Sequence, residues 1–195
     1  MAASKADRIR AFIALPLEPV LAAEIKKVQQ HLNSPDGAVR WVNPEQLHLS
    51  LQFLGNVATD RLEGLTTALR GACARTAPFR LALEGVGCFP NTSNPRVVWI
   101  GIQGELEPLR KLQERITQET KNFGDHSDER AFQPHLTIGR VKSSGAEGRK
   151  VGQTIACATV PKLGNWDIHQ VLLVQSALSS NGVRYTALAA VALDR

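Results

Sequence analysis

Apolar and polar positions alternate or recur along most of this chain, and the period of the pattern divides it into strands and helices. Arg8 to Leu15 (RIRAFIAL) predicts a strand entering the core, ended by Pro16. Pro19 then sits where a first helical turn accepts proline, and Leu21, Ile25, Val28 and Leu32 give a helical stripe. Ser34-Pro35-Asp36-Gly37 is a turn cluster. Leu47 to Phe53 alternates as a strand, and Thr59 or Asp60 can cap a helix with apolar positions Leu62, Leu65 and Leu69. Phe79 to Phe89 alternates again. Pro90 to Pro95 is loop, and Arg96 to Gln103 reads as its hairpin partner.

The second half repeats the logic. Leu106, Leu109, Leu112 and Ile116 mark a helix, followed by a polar loop from Gly124 to Glu129 and a strand from His135 to Val141. Gly145 to Ala158 is helical in part, with Gly148 and Gly152 interrupting it. Ile168 to Ser176 and Tyr185 to Leu193 read as closing strands around the turn Ser180-Asn181-Gly182. Strands alternating with helices in two similar halves predict an α+β fold. Its expected form is bilobal and duplicated, two antiparallel-sheet lobes with outer helices around a central cleft. No linker or low-complexity segment divides the chain, so residues 1–195 are expected to form a single bilobal domain.

Composition narrows the class. With 195 residues, 43% hydrophobic and 21% charged, the chain can bury a real core and is ordinary for a globular protein. No apolar run approaches the ~20 residues of a membrane span, and Met1 to Lys5 lacks the apolar core of a secretory signal. Cys73, Cys88 and Cys157 are odd in number and widely spaced, which predicts reduced, structurally buried thiols in a cytoplasmic protein. A net charge of +5 is compatible with an anionic ligand without establishing one.

Two tetrapeptides carry the chemistry: His48-Leu49-Ser50-Leu51 and His135-Leu136-Thr137-Ile138. On a strand, side chains two apart share a face, so each tetrad aims an imidazole and a hydroxyl to one side. Leu47, Leu49, Leu51 and Phe53 are expected on the opposite face, as are Leu136 and Ile138 in the second copy. With 5 histidines in the chain, roughly 0.2 such tetrads would arise from this composition at random. Two are present.

Their flanks extend the pattern. Trp41 to Gly55 (WVNPEQLHLSLQFLG) and Glu129 to Arg140 (ERAFQPHLTIGR) resemble the two signatures of the 2H phosphoesterase superfamily, and within it the RNA 2′,3′-cyclic phosphodiesterases, or LigT-type 2′-5′ RNA ligases. The opening Arg10 to Leu15 and the closing Ser176 to Tyr185 are also similar, so the resemblance spans nearly the whole chain; Ser50 stands where that family more often has Thr. The resemblance implies a bilobal 2H phosphoesterase fold and hydrolysis of RNA or nucleoside 2′,3′-cyclic phosphates to a 2′-phosphate, with no metal and no cofactor. It also implies His48 as proton donor and His135 as proton acceptor, a polarity that the near-symmetric motifs themselves leave open. The partners expected are RNA ends or nucleoside 2′,3′-cyclic phosphates, with no membrane association, for a protein acting as a monomer.

The chemistry suits these residues. Opening a cyclic phosphodiester requires one proton removed from water, one delivered to the leaving oxygen, and stabilised charge on the phosphoryl group. Histidines, with an ordinary pKa near ~6.5, can stand one neutral and one charged near neutrality. Ser50 and Thr137 can donate hydrogen bonds to phosphoryl oxygens. Arg140, placed on the face of His135 and Thr137, is a candidate substrate cation, Arg130 a weaker one, and Tyr185 a candidate for base stacking, whereas Phe132, Trp41 and Trp99 read as core. His31, His126 and His169 read as structural or surface residues. A zinc site needs three or four ligands, and no Cys pair or His-x-x-x-His accompanies the tetrads. A noncatalytic RNA-binding module or a 2′-5′ oligonucleotide phosphodiesterase or ligase are the alternatives.

Overall fold

The computed structural model describes residues 7–32, 37–126, 131–179 and 182–194. The turn cluster at Ser34–Asp36, most of the Ser180–Gly182 turn, part of the Gly124–Glu129 loop and Arg130 fall outside them. In chain order the elements are β1 (Arg8–Pro16), α1 (Pro19–His31), β2 (Val39–Trp41), β3 (His48–Ala58), α2 (Leu62–Cys73), β4 (Phe79–Phe89) and β5 (Val97–Gly104). There follow α3 (Leu106–Thr120), β6 (His135–Val141), α4 (Gly145–Cys157), β7 (Gly164–Ile168), β8 (Gln170–Ser179) and β9 (Gly182–Ala192).

The strands form two antiparallel sheets, ordered β3-β1-β8-β9 and β2-β6-β5-β4-β7. The fold is α+β, as expected. The lobes are interleaved rather than sequential halves, because the first sheet takes strands from both ends of the chain and the second from its middle. Of the helices, α1 and α3 cross over as well, while α4 stays on the sheet of its flanking strands. α3 packs on β3, where Thr120 Oγ1 donates to Gln52 Oε1 at 2.7 Å, and α4 packs on β4. α1 reaches the second sheet through buried Gln29, whose Nε2 donates to the carbonyls of Val42 and Ile138.

Central β1 is covered on both faces, which is why RIRAFIAL runs apolar instead of alternating. Ile13 and Leu15 join the main core, and Phe12 and Ala14 join a small separate cluster with Val174 on the other face. Leu49 and Leu136 are fully buried behind the two motifs. Truncating either to Ala would cost about 2–5 kcal/mol.

Several expectations need correction. α2 begins after a 3₁₀ turn at Thr59–Arg61, and no side chain caps it, so neither Thr59 nor Asp60 is its cap. The stretch read as one strand from Ile168 breaks at His169, where β7 ends in one sheet and β8 begins in the other. A swap of sheets leaves no trace in periodicity. α4 runs unbroken through its glycines: a Cβ at Gly152 would lie 1.7 Å from the Thr92 carbonyl oxygen, so glycine lets the loop after β4 lie on the helix. Cys73 and Cys88 are buried, but Cys157 is exposed on α4.

Candidate active site

Both tetrads open strands, and those strands, β3 and β6, pack against each other where the two sheets meet. Pairing of β3 with β1 sets His48 opposite Pro16 and Ser50 opposite Ala14. Pairing of β6 with β5 sets His135 opposite Gly101 and Thr137 opposite Trp99. In each tetrad the leucine is buried while the histidine and hydroxyl residue are half-buried. The cleft therefore receives one imidazole and one hydroxyl from each sheet.

The two imidazoles are held alike. His48 Nδ1–H donates to the Gln46 carbonyl at 2.7 Å, and His135 Nδ1–H donates to the Gln133 carbonyl at 2.7 Å. A carbonyl can only accept, so each Nδ1 carries hydrogen and Nε2 is the nitrogen left for substrate. The side chain of Gln46 also ties the start of β3 to β9, its Nε2 donating to the Val183 carbonyl at 2.9 Å. The hydroxyls of Ser50 and Thr137 engage no other described residue, unlike those of Thr66, Thr67 and Thr154, which donate to helix carbonyls four residues back.

Aromatic rings wall both histidines. Phe12 and Tyr185 lie 4.8 and 5.1 Å from the His48 ring, and Phe89 lies edge-on at 5.0 Å from His135. Burial pulls the His48 pKa below its ordinary value, opposed only by the Gln46 carbonyl, which favours the charged ring. Tyr185 thus touches a motif histidine. Phe132 is half-buried against the core, as expected, and so is Trp41. Trp99 is half-buried on the cleft face beside Phe89.

Two β-bulges in β3 overturn one expectation. Leu51 and Leu54 have no partners in β1, and each inserted residue reverses the alternation. Leu51 and Gln52 both turn inward, and Phe53 emerges, 45% exposed, on the His48 side against Phe12. A bulge at Ile138 in β6 has the opposite consequence for Arg140. Arg140 does share the face of His135, but not through alternation as expected: five residues is an odd interval, which by itself would put it on the opposite face. The bulge returns it to the cleft face, opposite Val97. Gly139 then faces the core, its missing side chain replaced by Val39 and the Trp41 ring.

Phe12, Phe89, Phe53 and Gln46 were not singled out from sequence. Phe12 is hidden in a two-sided apolar run, and the others depend on register. Among the described residues, no group of three or more His, Cys, Asp or Glu converges as a metal would require. Nor, among the described residues, is any helix long and apolar enough to cross a membrane.

Two facing antiparallel sheets, each presenting a His-x-hydroxyl strand to one cleft, define the 2H phosphoesterase class of fold. The profile of the 2′-5′ RNA ligase superfamily matches residues 17–177, and the chain belongs to that superfamily. An RNA 2′,3′-cyclic phosphodiesterase of Methanothermobacter thermautotrophicus is 34% identical over 92% of this chain and 96% of its own length. One from Archaeoglobus fulgidus is 33% identical over 92% of this chain and 98% of its own. Escherichia coli LigT, crystallised with 3′-AMP, superposes with a TM-score of 0.78 at 26% identity, covering 97% of this chain and all of LigT.

Proposed function

We propose that this chain hydrolyses 2′,3′-cyclic phosphates at RNA ends to 2′-phosphates, with one histidine taking a proton from water and the other giving one to the leaving oxygen. The observation that carries the reading is the pair of imidazoles, each with Nδ1 anchored to a carbonyl, beside hydroxyls that, like both Nε2 atoms, have no hydrogen-bond partner among the described residues. A binding site needs cations and donors; two oriented, titratable nitrogens suit proton transfer.

Water attacks phosphorus as His135 Nε2 takes its proton. The bond from phosphorus to the 3′ oxygen breaks, and His48 Nε2–H protonates that oxygen. The product carries a 2′-phosphate and a 3′-hydroxyl, and proton exchange with solvent resets the histidines. Ser50 and Thr137 donate to the non-bridging oxygens where charge develops, and Arg140 supplies a fixed cation. Tyr185, 36% exposed, offers a ring for the base. Burial disfavours charge on His48 in the empty cleft, whereas a phosphate anion against it favours the charged ring. Substrate and the donor proton therefore bind together.

The enzyme works on this reading as a single bilobal unit, a monomer without metal, in the cytoplasm. The interleaved strands support the single unit, and the three unpaired thiols support the compartment.

The test is incubation of EDTA-treated protein with adenosine 2′,3′-cyclic phosphate, with the product followed by phosphorus NMR. Adenosine 2′-phosphate is the expected product. Absence of turnover would overturn the reading and favour a binding module. Rescue by zinc or manganese would move the chain to metal-assisted chemistry, and a dominant 3′-phosphate would reverse the placement of the ribose.

A further inference from the structure

Strands β2 and β6 set Arg40 directly opposite Arg140. Both are exposed on the face that carries His135 and Thr137, and neither meets a carboxylate among the described residues. Arg80, Arg8 and Arg61 are engaged by Asp167, Asp125 and the Asn122 carbonyl, whereas the exposed Arg10, Arg96 and Arg110 meet no carboxylate among the described residues either. Direct apposition on the cleft face is what sets Arg40 and Arg140 apart. Like charges directly across a strand pair are unfavourable, so an anion seated between these two would relieve the repulsion. Arg40 also reaches the other lobe. A Cβ built on Gly182 would lie 3.8 Å from its Nη2, which puts the guanidinium at the lip where the β2 edge approaches β9.

The charge balance identifies the anion. A nucleoside 2′,3′-cyclic phosphate bears one negative charge, which Arg140 answers at the reacting phosphate. A second cation one strand further out, about 4.8 Å away in sheet spacing, is surplus for that ligand. A cyclic phosphate closes the 3′ end of an RNA, so any further phosphate lies on its 5′ side. We propose that Arg40 holds the phosphodiester 5′ to the terminal nucleotide, so that the site selects the end of an RNA chain over a free cyclic nucleotide. This rests on the cyclic-phosphodiesterase reading above.

The experiment compares kcat/KM for a diadenosine ending in a 2′,3′-cyclic phosphate with that for adenosine 2′,3′-cyclic phosphate. Wild type should favour the dinucleotide, and Arg40→Gln should lower the ratio of the two constants by roughly tenfold or more, the scale of one charged hydrogen bond. Arg40→Lys should restore part of the ratio. The logarithmic salt dependence for the dinucleotide should be shallower in Arg40→Gln by about 0.7, one single-strand phosphate contact. An unchanged ratio with active enzyme overturns this inference and leaves the activity standing. Should Arg40→Gln fail to fold, wild type alone decides: equal salt slopes for the two substrates overturn it, and a steeper slope for the dinucleotide supports it. Turnover of neither substrate by wild type overturns both.

Discussion

His48 and His135 bear the same tetrapeptide logic into unlike surroundings. β3 is an edge strand, yet its histidine is enclosed. Three strand spacings separate β3 from β9, about 14 Å in a flat sheet, but the Tyr185 ring stands 5.1 Å from that of His48. The first sheet therefore curls around its histidine, and Phe12 closes the floor. β6 is an inner strand whose histidine meets one ring edge, from Phe89, and whose far end carries arginine. The same side chain, anchored by the same carbonyl contact, is enclosed by two rings in one sheet and meets a single ring edge in the other. The motif supplies the nitrogen, and at His48 the sheet around it makes charging that nitrogen costly.

The largest effects should come from removing either partner. His48→Ala and His135→Ala are each expected to lower turnover by ~10²-fold or more, since each transfers a proton. Thermal melting at pH 8 should stay near wild type, because neither ring is core. Near-wild-type turnover by either variant breaks the division of labour.

Ser50→Ala and Thr137→Ala should cost less, about 1–4 kcal/mol of transition-state stabilisation each, as one donor in a shared set. The readout is kcat/KM for a cyclic nucleotide. If both variants match wild type, the phosphate binds elsewhere in the cleft.

The enclosure of His48 makes a finer prediction in the Michaelis constant. If proton and substrate bind together at that ring, KM should climb as pH rises and His48 loses its proton, by up to about tenfold per pH unit. Tyr185→Ser, which opens the apolar wall, should move that rise to higher pH. A KM independent of pH between 5 and 8 would uncouple the two.

The smallest effect is on stability. The folded His48 pKa lies below the ordinary ~6.5 of an unfolded histidine, so the unfolded chain binds more protons between the two values. His48 therefore contributes stability that is complete above pH ~6.5 and lost as pH falls through the folded value. Chemical denaturation from pH 8 to 5 should show a shallower acid loss in His48→Ala than in wild type. An equal loss would mean that burial of this ring carries no cost.

The two motif strands and their faces were legible because alternation over His48–Leu51 and His135–Ile138 is local, and each leucine behind them reaches the core. What alternation cannot show is where it stops. The bulges at Leu51, Leu54 and Ile138 arise from pairing with strands far along the chain, and they decide that Phe53 faces the cleft, that Gln52 turns inward, and that Arg140 returns to the side of His135. The break at His169 is of the same kind, since β7 and β8 are adjacent in sequence and belong to different sheets. Gly148 and Gly152 read as helix breakers, although they serve close packing on the Ser143 and Thr92 carbonyls. Arg40 offered no signal, being a lone charge in a three-residue strand whose meaning lies in its partner.

The assignment of donor and acceptor is tested most directly by the pH dependence of kcat for wild type and the two alanine variants. Wild type should give a bell centred near neutrality, whose flanks belong to the pair. His48→Ala lacks the group that must be protonated, so its residual rate should keep the acid limb and lose the alkaline one. His135→Ala lacks the group that must be neutral and should show the reverse. Loss of the opposite limbs would exchange the two roles, and a bell retained in both variants would contradict two-histidine catalysis.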